Sequence, residues 1–280
     1  MPPKLSDVRQ VFFGKDYQKD PTVYSYLKVY PEQVRYIEYD RPYQQQAYYD
    51  AALKSVGHDR TARKAKSASD IEEYVLESLR RSKTAISDIV LSNRFDMWMT
   101  FTFNGKKENE RMKGISTTTD RYDVDLCKRK MSKWLKNQRE LHGAFEYLIV
   151  PEFHKDGALH FHAFFNSYKG SVIDTGKVKH GKKVYRVNSY RLGISEMQYI
   201  SQTDDDYRRI SSYIKKYITK DMPVFSGSKR YWCSTKLIRP TVIQNPRSEI
   251  MERYSFNLAR KLENLTIHHG KLIVNEPALT

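Results

Sequence analysis

The chain reads as an α+β protein organised around antiparallel strands. Three observations predict this class. An aromatic run alternating with threonine occupies 95–104, two apolar runs at 145–154 and 158–165 flank the short turn Lys155-Asp156-Gly157, and apolar residues recur at helical spacing over 69–90 and 120–141.

Taken in order, residues 1–68 form a tyrosine-rich N-terminal extension with no sustained period of 2 or 3.6. Nine tyrosines fall in its first fifty residues. Tyr48 to Lys54 suits a short helix and Gly57 to Lys66 a basic loop. The extension is expected to pack through its tyrosines rather than to act as an arm that stacks on bases. Ser69-Asp70-Ile71-Glu72 then has the form of a capping box, and Ile71, Val75, Leu79, Ile86 and Val90 give the helix that follows an apolar face. In 95–104 alternation puts Thr100 and Thr102 on one face and Met99, Phe101 and Phe103 on the other, as expected of a central strand whose polar face lies under a site.

After a polar stretch at 105–119, the helix over 120–141 carries Leu126, Met131, Trp134 and Leu135 among many lysines and arginines. The hairpin at 145–165 comes next. The Gly- and Lys-rich stretch 167–188 reads as an exposed loop or ribbon that brings Lys179, Lys182 and Lys183 to a phosphate backbone. A strand over 190–200 and a helix over 207–220, opened by Asp204-Asp205-Asp206, complete the core at about 245. The predicted division is therefore an extension at 1–68, a catalytic domain at 69–245 and a C-terminal helical tail at 246–280, with its helix over 248–262.

Composition narrows the partners. Lys and Arg number 49 against 33 acidic residues, a net charge of +16, and 12 Phe, 21 Tyr and 3 Trp accompany them. Basic residues interleaved with aromatics suit single-stranded nucleic acid, whose phosphates release counterions and whose bases stack. No apolar stretch suits a membrane anchor or a secretory leader, and the two cysteines, Cys127 and Cys233, stand apart, so a reducing compartment is expected.

Two constellations carry chemistry. In Glu152 to His162, the side chains of His160 and His162 share a strand face. A three-residue loop, with Gly157 supplying the left-handed backbone of its third position, brings Glu152 opposite His160 on that face. Two imidazoles and a carboxylate suit one divalent cation, Mn²⁺ or Mg²⁺ acting as a Lewis acid, with zinc also compatible with the ligands. His154 shares the face beside the turn. In Tyr213-Ile214-Lys215-Lys216-Tyr217-Ile218-Thr219-Lys220, residues four apart are neighbours on a helix, so Tyr213 and Tyr217 project together with Lys216 and Lys220 beside them. A metal-polarised phosphodiester would be open to attack by a phenol. Transesterification then gives a 5′-phosphotyrosine and a free 3′-hydroxyl. The spacing leaves open which tyrosine acts first.

These residues resemble the HUH endonuclease superfamily, and within it the rolling-circle replication initiators of bacterial plasmids and small phages. The likeness covers roughly 70–245. It rests on Trp98-Met99-Thr100-Phe101-Thr102-Phe103, on Glu152 to His162 and on Tyr213 to Lys220, in that order, with a further segment at Arg230-Tyr231-Trp232-Cys233-Ser234, Leu237 and Arg239-Pro240. The resemblance implies a central antiparallel sheet with helices on one side, similar to the ferredoxin or RNA-recognition-motif arrangement. It also implies a single-stranded or hairpin origin DNA as substrate, contacts to it from Thr100, Thr102 and Arg230, and the cytoplasm of a bacterial host. No Gly-x-x-x-x-Gly-Lys-Ser/Thr motif occurs, so strand separation is expected from a host helicase working with a host polymerase, and no small-molecule cofactor is expected. A conjugative relaxase, a single-strand transposase and a catalytically silent single-strand-binding protein are the alternatives.

Overall fold

The computed structural model describes residues 22–44, 68–103, 120–201, 203–219, 221–223, 230–262 and 265–273. In chain order the elements begin with β1 (Thr22–Val29), β2 (Val34–Gln44), α1 (Ala68–Ser92) and β3 (Met97–Phe103). A 3-10 turn (Asp120–Tyr122) leads into α2 (Val124–His142), then β4 (Glu146–Phe153), β5 (Leu159–Asn166), β6 (Val172–Lys179), β7 (Lys182–Val187) and β8 (Gly193–Tyr199). Next come α3 (Asp204–Ile214), a second 3-10 turn (Lys215–Tyr217), β9 (Trp232–Cys233), β10 (Thr241–Gln244), α4 (Ser248–Met251), β11 (Tyr254–Lys261) and β12 (Leu265–Leu272).

The described residues fall into two compact units, one within 66–240 and the other within 1–65 and 241–280. The larger contains a seven-stranded sheet in the order β6-β7-β8-β3-β5-β4-β9, and the smaller a five-stranded sheet in the order β10-β1-β2-β12-β11. Every strand pair is antiparallel. The fold is α+β.

Sequence alternation explains how the larger sheet is covered. Along β3 burial alternates without a break, so Met97, Met99, Phe101 and Phe103 face one way, and Trp98, Thr100 and Thr102 the other. The first set meets α2 through Cys127, Met131, Trp134 and Leu135, together with Phe161 and Phe165 of β5. On the second side Phe164 and Leu148 pack against Leu79, Ile86 and Ile89 of α1 and against Tyr207 and Ile214 of α3. Each large apolar side chain buried this way contributes roughly 1.5–3 kcal/mol. Helices therefore cover both faces, not one side as the resemblance implied, because apolar residues lie on both sides of β5.

The helix ends follow ordinary capping chemistry. Asp123 accepts from the Leu126 amide at the start of α2, and Thr203 accepts from the Asp206 amide at the start of α3. Helix α3 ends sooner than the 207–220 pattern suggests, tightening into a 3-10 turn at 215–217. Of the loop or ribbon expected over 167–188 the structure has the ribbon, the hairpin β6–β7 joined at Lys179 and Lys182.

The tail departs further from expectation. The helix expected over 248–262 is a single turn at 248–251, and 254–261 is a strand pairing with β12. Tyr254, Phe256 and Leu258 alternate with Ser255 and Asn257, a period-2 pattern that the ladder to β12 satisfies. Segments 1–68 and 246–280, read apart in the sequence, contribute strands to one sheet. The short helix expected over 48–54, the basic loop at 57–66 and the polar stretch 105–119 lie outside the described residues. Among the described residues no helix is long and apolar enough to cross a membrane.

Candidate active site

The turn between β4 and β5 sets the first part of the site. The His154 amide donates to the Ala158 carbonyl at 2.8 Å, enclosing the three residues 155–157, and Gly157 adopts φ +82°. Asp156 braces this turn: its Oδ1 accepts from the Ala158 amide at 3.0 Å and lies 3.1 Å from His154 Nδ1, while Arg121 approaches Oδ2 at 3.4 Å. The Ala158 amide, followed by His154 and Arg121, holds the Asp156 carboxyl below the usual carboxylate range. With this register Glu152 stands opposite His160, and Val150 opposite His162. Glu152, His160 and His162 consequently share one face.

On the other flank of β5, strand β3 pairs Thr102 with His160 and Thr100 with His162. Thr102 Oγ1 lies 3.4 Å from His160 Nδ1 and Thr100 Oγ1 lies 3.3 Å from His162 Nδ1. The two threonines, expected to touch nucleic acid, thus engage the imidazoles. Such partners fix ring orientation and leave Nε2 to face a cation. His162 Nε2 is in turn 2.7 Å from Glu152 Oε2. The His160 ring stacks on His154 with centroids 4.7 Å apart. Burial, then the nearby imidazoles of His154 and His162, bring His160 down to about 4, so it is neutral near pH 7.

Among the described residues no three histidine, cysteine or carboxylate side chains are gathered closely enough to hold a metal ion as they stand. Glu152 and His162 touch directly, and His160 leans on His154. The donor chemistry nevertheless fits a divalent cation: one carboxylate and two imidazoles on one face, each imidazole with Nδ1 engaged by a hydroxyl.

The tyrosines reach this face from α3 and its 3-10 extension. Tyr207, Ser211, Ile214 and Ile218 form the buried stripe of that segment. Tyr207 donates to the Phe95 carbonyl at 2.7 Å, and Ser211 Oγ lies 2.8 Å from Ser87 Oγ of α1. Anchoring that stripe turns the neighbouring positions 213 and 217 to the site. The Tyr217 ring stacks on His162 with centroids 3.8 Å apart, and Trp98 stacks on His162 at 5.5 Å. Tyr213 meets Trp98 edge-on at 5.5 Å. Tyr217 Oη donates to Tyr213 Oη, and Tyr213 remains 45% exposed. Burial first, and then that donated hydrogen bond, raise Tyr217 well above the ordinary phenol value. Lys216 Nζ sits 5.6 Å above the Tyr213 ring. Lys220 lies outside the described residues.

Residues 96–222 match the family model described as Replication-associated protein ORF2/G2P. The match covers somewhat under half of the 280 residues and lies inside the larger unit, spanning β3 to just past the tyrosines. It points to DNA replication as the process this chain serves. No curated protein and no solved structure matches the chain.

Lys179 pairs with Glu196, Lys182 with Asp206 at 3.2 Å and Lys183 with Asp174 at 3.2 Å, so each already neutralises a carboxylate. Arg230, just before β9, is half-buried, and its Nε and Nη1 meet no hydrogen-bond partner among the described residues. Trp98 was missed as a site residue. Its signal was present, since it alternates onto the same face as Thr100 and Thr102.

Proposed function

We propose that this chain cuts and rejoins single-stranded DNA at a replication origin through a 5′-phosphotyrosine, and so starts and ends rolling-circle replication. One observation carries the proposal: Tyr217 stacks at 3.8 Å on His162, itself in contact with Glu152, while sharing a hydrogen bond with Tyr213. Two phenols and a prospective metal-ligand set thus meet on one surface. The family match supplies the biological setting.

Tyr213 acts first. It is the more exposed phenol and receives the hydrogen bond from Tyr217, which steadies negative charge developing on its oxygen. Its Oη attacks phosphorus, the bond from phosphorus to the 3′ oxygen breaks, and the phenolic proton passes through water to that oxygen. Lys216, over the Tyr213 ring, brings a positive charge to the phosphate and its leaving oxygen. Thr100 and Thr102 hold the imidazoles in place. A Mn²⁺ or Mg²⁺ ion bound by Glu152, His160 and His162 would supply Lewis-acid polarisation of the scissile phosphate.

The strand runs to the phenols past Arg230, with Lys179, Lys182 and Lys183 exchanging carboxylate for phosphate. Lys220 is assigned with Lys216 to the leaving side. The freed 3′-hydroxyl is the end that a host polymerase extends as a host helicase separates the strands. Tyr217 then serves as the second nucleophile.

The test is a labelled origin-containing oligonucleotide incubated with Mn²⁺. A detergent-resistant adduct is expected, lost in the Tyr213→Phe, Tyr217→Phe double variant. Tyr213→Phe alone should slow the first cut by more than about 10³-fold, as removal of a nucleophile does. Tyr217→Phe should slow it about tenfold, the worth of one hydrogen bond to a developing charge. Binding without an adduct would favour the silent single-strand-binding alternative.

A further inference from the structure

We infer that the smaller unit is a second single-strand-binding platform, using the face of its sheet opposite its apolar cluster. This rests on the proposed DNA function but not on its cleavage chemistry. The apolar side of the sheet is defined by Leu27, Val29, Val34 and Ile243, with Ile250 and Met251 of α4 packed against them. Strand alternation and the pairings of Tyr26 with Ile37 and Lys28 with Arg35 put a different set on the other side.

That set mixes the aliphatic Ile37, Val242, Leu265 and Ile267 with tyrosines and cations suited to nucleic acid. Three tyrosines lie on it: Tyr24 is 52% exposed, and Tyr26 meets Tyr39 edge-on at 5.8 Å. Lys28 and Arg35 stand beside each other on β1 and β2. Lys271 on β12 and Arg260 on β11 lie further across the same side, both exposed. The strands of this sheet carry two carboxylates, Glu38 and Asp40. Glu38 lies on the apolar side, as its partners Ser25 and Thr266 show, and Asp40 falls in the part of β2 where the pairing with β1 shifts register. A sheet face with cations and tyrosines, and with no carboxylate among the positions whose pairing fixes their side, is complementary to a polyanion. The tyrosines favour unpaired bases, because a duplex keeps its bases stacked on one another and offers only its backbone.

The experiment measures binding of the full chain to a labelled oligothymidylate of about 20 nucleotides, across a salt series and without divalent metal. Arg260→Glu combined with Lys271→Glu, both exposed and away from the apolar cluster, should weaken binding about tenfold or more and lower the slope of log affinity against log salt by about 1.4. Tyr24→Ala should weaken it about fivefold or more, the loss expected of one stacking contact. Unchanged affinity and slope in both variants would overturn the inference. So would an equal loss on duplex DNA of the same length, which would assign the face to a duplex backbone. The probe carries no cleavage site and the buffer no metal, so the result stands even if Tyr213 and Tyr217 prove not to cut.

Discussion

Gly157 shows how much can depend on one backbone angle. Its φ of +82° closes the three-residue turn that sets Glu152 against His160. A Cβ added there would meet nothing closer than Tyr122 Cδ1 at 3.9 Å, so the cost of a larger residue is conformational, not steric. Gly157→Val should lose at least about 1–2 kcal/mol of stability and shift the hairpin register, weakening Mn²⁺ binding. Paired thermal melts and calorimetric titrations would check this, and an unchanged titration would sever the turn from the site. The His-x-His pair was legible because strand alternation and a local turn suffice to align it with Glu152. The job of Thr100 and Thr102 was not, because their contacts with the imidazoles exist only once β3 lies beside β5, some sixty residues away in sequence.

At the scale of elements, α3 is held by its first turn as well as its buried stripe. Asp206, a buried residue, is hydrogen-bonded by Ser201, then by Lys182 from β7 and Arg209 from its own helix, and these hold its carboxyl below the ordinary range. A carboxyl lowered on folding contributes stability that is full above its unfolded value, about 3.9, and is lost as the pH falls through its folded value. Asp206→Asn should therefore cost about 1 kcal/mol near neutral pH, and the gap from wild type should narrow steadily below about pH 4. A gap independent of pH in chemical denaturation would refute the ion-pair account. Elements with a strong period of their own, such as α1, α2 and β3, were readable from the sequence. The tail was not: 254–261 contains enough helix-tolerant residues to pass as a helix, and its strand state depends on β12 as a partner.

For the whole molecule, the net charge of +16 suits a polyanionic partner, and the charge alone marks no one face for it. The larger unit, which contains the matched segment, carries the tyrosines and the candidate metal ligands, and the smaller carries a basic, aromatic sheet face. Nothing in local patterning signalled that strands at 22–44 and 241–272 share one sheet, since pairing over such separations leaves no mark in any short window. On the proposed mechanism, phenols on α3 and its extension act on phosphate beside the Glu152, His160 and His162 cluster. Peptide mapping by mass spectrometry of the covalent product formed with Mn²⁺ checks this mechanism. A nucleotide is expected on Tyr213, and none when the metal is chelated. A nucleotide on a residue other than Tyr213 or Tyr217, or a product that forms equally well in chelator, would contradict it.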